Sequence, residues 1–126
     1  MSKLLIVDDS VALLEVMKKI LERNGYVIKT LNTTTDIYVA ISDFQPDLLI
    51  LDIYLNGIDG REICREIKNN IETSDLCVLV FSASPKMLED HKSYCADDFI
   101  EKPFAITDLM EKIKSVLDFC KSKQSN

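Results

Sequence analysis

A chain of 126 residues with a net charge of −6 and its basic residues scattered is poorly suited to nucleic acid, because phosphate contacts need a concentrated cationic face. Its length and 47% hydrophobic content suit one domain with a real core and leave no room for a second of usual size. The apolar runs are strand-length and broken by charge, and the N-terminus lacks a signal-peptide layout, so the chain reads as cytoplasmic, with no membrane partner.

In chain order, the apolar run from Leu4 to Val7 ends on an acid pair, Asp8 and Asp9. Leu13, Leu14, Met17, Ile20 and Leu21 then recur at helical spacing, and Gly25 is placed to close that helix in a left-handed conformation. Residues 26–31 alternate as a half-exposed edge strand. The threonines at 33–35 offer caps to a second helix that presents Ile37, Ala40, Ile41 and Phe44 and stops before Pro46. The run from Leu48 to Leu51 is apolar throughout and ends on Asp52, the pattern of a central strand buried on both faces that delivers a carboxylate to its exposed end. A turn is predicted over 56–60, and Ile63, Cys64, Ile67 and Ile71 mark a third helix.

The run from Leu76 to Phe81 ends on the hydroxyl of Ser82. Ser84 and Pro85 read as the cap and first-turn proline of a fourth helix that reaches about Tyr94, has a weak apolar face and carries a solvated His91. The short strand over 98–101 ends on Lys102, just before Pro103. Ile106, Leu109, Met110, Ile113, Val116, Leu117 and Cys120 form the stripe of a last helix, and the polar tail 121–126 is expected to fray. The four cysteines, Cys64, Cys77, Cys95 and Cys120, have no C-x-x-C spacing and fall within apolar patterns, so buried free thiols are expected.

Five repeats of strand then helix define a doubly wound α/β domain over residues 1–126, a flavodoxin-like sandwich with a five-stranded parallel sheet and five helices. The second and fifth strands carry polar residues, which the strand order 2-1-3-4-5 explains by placing them at the edges. In such a sheet all strand exits share one rim, so Asp8, Asp9, Asp52, Ser82 and Lys102 would converge there. Three crowded carboxylates repel one another unless protons are retained or a hard cation is bound, and oxygen ligands without His or Cys favour Mg²⁺, or Mn²⁺ in its place. With Lys102 as a second positive charge and Ser82 as a neutral donor, the set meets the needs of a transferring phosphoryl group. Asp52 is then the nucleophile, since the adjacent Asp8 and Asp9 suit the metal.

These residues, with Asp59 and Gly60 in the turn, Ala83, Phe99, Pro103 and Phe104, give the chain from Leu4 to about Leu117 an ordered set of motifs. The set resembles the response-regulator receiver domain of two-component signalling, in particular its stand-alone, chemotaxis-type members. The resemblance implies that Asp9, Asp52 and the backbone carbonyl of Tyr54 hold Mg²⁺, with Asp8 ligating directly or through water. Lys102 would pair with the phosphoryl group and Ser82 would hydrogen-bond it. Phe99 would be an aromatic switch that turns inward as Ser82 moves, and Pro103 would follow a cis peptide. Leu55 and Asn56 stand where the family often has Met-Pro, which leaves the loop after Asp52 less defined.

Two rival classes fit less well. A haloacid-dehalogenase-type phosphatase needs an Asp-x-Asp pair, and Ile53 and Tyr54 follow Asp52 instead. A flavodoxin-like cofactor binder wants a phosphate-cradling loop after the first strand, where Asp8 and Asp9 would repel a phosphate. The expected function is a signalling phosphoacceptor rather than an enzyme acting on other substrates. A histidine kinase or phosphotransfer protein would donate the phosphoryl group to Asp52. No output segment is recognisable, so a downstream protein target would read the switch, whether the chain works alone or within a longer regulator.

Overall fold

The computed structural model describes residues 1–89 and 96–124. Its elements run β1 (Lys3–Val7), α1 (Val11–Arg23), β2 (Val27–Leu31), α2 (Ile37–Phe44), β3 (Leu48–Asp52), β4 (Tyr54–Leu55), β5 (Ile58–Asp59), α3 (Gly60–Asn69), β6 (Cys77–Ser82), α4 (Pro85–Glu89), β7 (Asp98–Glu101) and α5 (Ile106–Gln124). Five of the strands form a parallel sheet in the order β2-β1-β3-β6-β7, the predicted order with β6 and β7 as its fourth and fifth strands. The two central runs, β3 and β6, are buried at every residue. Both faces of these strands must therefore be covered, which only helices on either side of a parallel sheet can do.

Side chains alternate across the sheet and divide the core in two. Leu4, Ile6, Leu48, Ile50, Leu79 and Phe81 pack under α1 and α5, while Leu5, Val7, Leu49, Leu51, Val78 and Val80 pack under α2 and α3. Helix α1 begins at the Ser10 side chain, which accepts from the Leu13 amide. It closes in a Schellman motif, the Tyr26 amide reaching the Leu21 carbonyl (3.2 Å) and the Gly25 amide that of Glu22 (3.1 Å), with Gly25 at φ 92° as its left-handed residue.

Several local expectations fail. The threonines at 33–35 do not cap α2; Asp36 holds that position without a side-chain bond, and the turn closes instead through the Ile37 amide to the Thr34 carbonyl (3.2 Å). The predicted turn over 56–60 is a two-residue hairpin, in which Asn56 (φ 49°) and Gly57 (φ 83°) link β4 to β5 and Gly60 already belongs to α3. Helix α3 stops at Asn69, so Ile71 lies outside the apolar face and is exposed. Helix α5 runs into the polar tail as far as Gln124. The later part of the predicted fourth helix, with His91, Tyr94 and Cys95, lies outside the described residues.

Cys64 is buried in the α2/α3 core layer, as expected. Cys77 and Cys120 are not free: they form a disulfide across a sequence separation of 43, with Cα atoms 6.3 Å apart. The sheet brings the first residue of β6 to the end where α5 finishes, and both side chains enter the same core layer. That juxtaposition is tertiary and leaves no mark in the cysteine spacing.

Candidate functional site

The rim is built where backbone bonds carry the parallel ladder past the strand ends. The Asp8 amide reaches the Leu31 carbonyl (3.1 Å), the Ile53 amide that of Phe81 (3.1 Å) and the Lys102 amide that of Ser82 (2.9 Å), so each exit is pinned to its neighbour. Continuing the strand alternation, Asp8, Asp52 and Lys102 fall on the α1/α5 side of the sheet, level with Phe81, which pairs in register with Asp52. Carboxylate oxygens of Asp8, Asp9 and Asp52 all lie within 4.8 Å of one another. Asp8 and Asp52 are buried, and Asp9 is exposed.

Lys102 ties the group together. Its ammonium lies 2.8 Å from Asp8 Oδ2 and 3.4 Å from Asp52 Oδ2. The other oxygen of Asp8 accepts from the Ser10 amide at 2.8 Å, and that of Asp52 from the Tyr54 amide at 3.3 Å. Asp8 is thus gripped tightly on both oxygens and Asp52 loosely. Burial pushes the Asp52 carboxyl up from its ordinary range, Lys102 pulls it down, and the charge of Asp8 pushes it up again. The Lys102–Pro103 peptide is cis, as the resemblance implied.

The remaining predicted residues stand around this cluster. Ser82 is buried at the end of β6, but its oxygen accepts from the Ser84 amide (3.1 Å) and its position in the alternation faces the opposite layer from Phe81. Phe99, half-buried one strand further out, packs against the α2/α3 core layer with the Lys112 ammonium 5.6 Å from its ring centroid. Tyr54 is exposed. Two residues have roles that the sequence does not assign. A Cβ on Gly60 would overlap the Asp52 carbonyl oxygen, so only glycine lets α3 start this close to β3. Phe81 carries its ring beneath Lys102, with 4.5 Å from centroid to ammonium, a position readable from its register with Asp52 once the strands are paired.

Residues 4–114 match the response regulator receiver domain family, and the chain belongs to it. It is 32% identical over 117 residues to the phosphate regulon transcriptional regulatory protein PhoB of Rhizobium meliloti, covering 91% of this chain and 52% of that protein. The chain thus spans about half the length of the curated relatives it matches. Among solved structures it is similar to a CheY-like response regulator receiver domain protein of Methanospirillum hungatei (29% identity, TM-score 0.86, 98% of each chain). It is also similar to response regulator TrrA of Thermotoga maritima, solved in complex with Mg²⁺-BeF (31% identity, TM-score 0.81, 92% of this chain and 99% of that one). Among the described residues no helix is long and apolar enough to cross a membrane.

Proposed function

We propose that this receiver domain accepts a phosphoryl group on Asp52 from the phosphohistidine of a histidine kinase or phosphotransfer protein. The observation that carries the reading is the convergence of three carboxylates, with oxygens within 4.8 Å of one another, two of which face the ammonium of Lys102. Asp52 is the acceptor because its oxygens are the less tightly held of the two buried acids, at 3.3 and 3.4 Å against 2.8 Å for both oxygens of Asp8. In the transfer, an Asp52 oxygen bonds to phosphorus as the bond from phosphorus to the imidazole nitrogen breaks. The imidazole keeps that electron pair and takes up a proton, and an acyl phosphate remains.

The all-oxygen donor set fits a hard divalent cation. Asp8, Asp9, Asp52 and the Tyr54 carbonyl would hold Mg²⁺, or Mn²⁺ in its place, and the relative from Thermotoga maritima solved with Mg²⁺-BeF supports this choice. The cation supplies positive charge against the carboxylates and the phosphoryl oxygens. Lys102 turns from Asp8 towards those oxygens, and the Ser82 hydroxyl leaves the Ser84 amide to donate to them. As Ser82 moves, Phe99 turns inward and changes the surface formed by α4, β7 and α5, which a downstream protein target reads. The domain is a signalling phosphoacceptor and its own substrate.

Acetyl phosphate with Mg²⁺ should add one acid-stable, base-labile phosphoryl group, detected by mass spectrometry, and Asp52→Asn should abolish it. Undiminished labelling of that variant would move the acceptor elsewhere.

A further inference from the structure

We propose that Phe81 is a positioning residue for Lys102, its ring face holding the ammonium over the exit of β3; the proposal rests on the phosphoacceptor reading above. Lysine reaches the rim on a flexible four-carbon stem, and a mobile ammonium would visit the phosphoryl position only part of the time. Carboxylates hold it on one side, at 2.8 Å to Asp8 and 3.4 Å to Asp52. The Phe81 ring adds a further contact, with its centroid 4.5 Å from Nζ. The ring is itself enclosed: Phe81 is 0% exposed, its carbonyl accepts from the Ile53 amide, and Phe104 packs edge-on against it at 6.2 Å and 75°.

The chemical point lies in what an aromatic face does not carry. A third carboxylate in this place would hold the ammonium as well, but it would repel the incoming phosphoryl group and neutralise the lysine. The ring attracts a cation through its quadrupole and brings no net charge. An aliphatic residue would fill the core equally and offer the ammonium nothing. Phe81 therefore directs Lys102 without competing for it. It also links the acceptor to its lysine directly, because Phe81 is the in-register partner of Asp52 on the adjacent strand.

Fluorination of the ring separates this role from packing, since it strips the quadrupole with little change of shape. In the full chain, Phe81 is replaced by 4-fluoro-, 3,4,5-trifluoro- and pentafluorophenylalanine, and the maximal rate and half-saturating concentration of acetyl phosphate with Mg²⁺ are measured beside the melting temperature. The expected result is a stepwise fall in maximal rate, about three- to tenfold across the series, with a near-constant melting temperature. In the phosphate-free protein, the Lys102 ε-methylene protons should show an upfield ring-current shift that Phe81→Leu removes. A flat rate series, a rate that merely tracks melting temperature, or unshifted Lys102 protons each overturn the proposal. Failure of the unmodified protein to take up phosphate at all overturns the functional reading instead, and the positioning of a transfer that does not occur falls with it.

Discussion

At the start of the strands Asp47 and Asp97 have partners of their own, whereas at their exits three acids crowd together and two of them share one ammonium. Below, Asp97 Oδ2 accepts from Lys68 at 2.7 Å and from the Val78 amide at 2.8 Å, and the same lysine reaches the Leu76 carbonyl. Asp47 accepts from the Lys3 amide at 2.8 Å and donates its own amide to the Lys3 carbonyl at 2.7 Å. The Cys77–Cys120 disulfide closes the same end covalently. Above, Asp8 and Asp52 are buried beside Asp9 with Lys102 between them, a surplus of negative charge. One end pairs its acids as it stands, and the other holds more negative than positive charge. On the proposed function, stability and chemistry occupy opposite ends of one sheet, and substitutions should separate them.

The largest effect is expected at the satisfied end. Asp97→Ala would leave Lys68, whose side chain is only 12% exposed, without its carboxylate and strip the Val78 amide of its acceptor. Removing one partner of a buried pair costs about 3–5 kcal/mol, so urea unfolding should show a loss of that order. Phosphate uptake by the folded fraction should stay normal. If uptake fell with the unfolding midpoint unchanged, the division between the two ends would be wrong. Reduction of the disulfide should come next. Closing a loop of 43 residues restricts the unfolded chain by about 3–4 kcal/mol in the chain-entropy account, and denaturation with and without reductant measures it. Cys77→Ala should match the reduced protein and be insensitive to reductant.

The two ends also differ in how far they could be read from sequence. The rim is legible because its logic is local: an apolar run ending on a polar group is one pattern, repeated after Val7 (Asp8), Leu51 (Asp52) and Phe81 (Ser82), and parallel topology brings the ends together. Asp8, Asp9, Asp52 and Lys102 meet as the pattern required. The lower end was illegible because its bonds join residues with no shared pattern, such as Lys68 with Asp97 and Cys77 with Cys120. Phe81 was missed for a related reason: as the fifth apolar residue of a buried strand it reads as core, and only register sets its ring under Lys102. The β4–β5 hairpin is a different case: Asn56-Gly57 is a strong local turn signal, but strands of two residues are too short to show an alternation.

At the rim the expected effects are smaller and of the opposite sign. Asp9→Asn removes one of three crowded charges and should raise the melting temperature in metal-free buffer while abolishing stabilisation by Mg²⁺. Wild-type protein at ten times its dissociation constant for Mg²⁺ should gain about 1.4 kcal/mol by mass action, and chelation should reverse it. A melting temperature indifferent to Mg²⁺ would argue against a cation site. The contrast with Asp97 is the informative part: the same loss of negative charge should weaken one end and strengthen the other.

The smallest effect is expected from an acid that is paired but exposed, which separates pairing from burial. Glu66 on α3 accepts from the Tyr38 hydroxyl of α2 at 2.7 Å, and Tyr38 is 40% exposed. Partial burial, the hydrogen bond to Glu66 and its charge push the Tyr38 phenol from 10.0 up to about 12. A raised value in the folded state means that folding favours the neutral phenol. The stabilisation is therefore complete below pH 10.0 and lost as pH rises through about 12. Because solvent screens an exposed partner, Tyr38→Phe should cost only about 0.5–1 kcal/mol at pH 7. Unfolding of both proteins at pH 7 and above pH 12 should show the difference vanish at the higher pH, with one phenol ionising late in the wild-type absorbance titration. A difference that persists undiminished there would assign the effect to packing of the ring between α2 and α3, and pairing with Glu66 would then contribute nothing measurable.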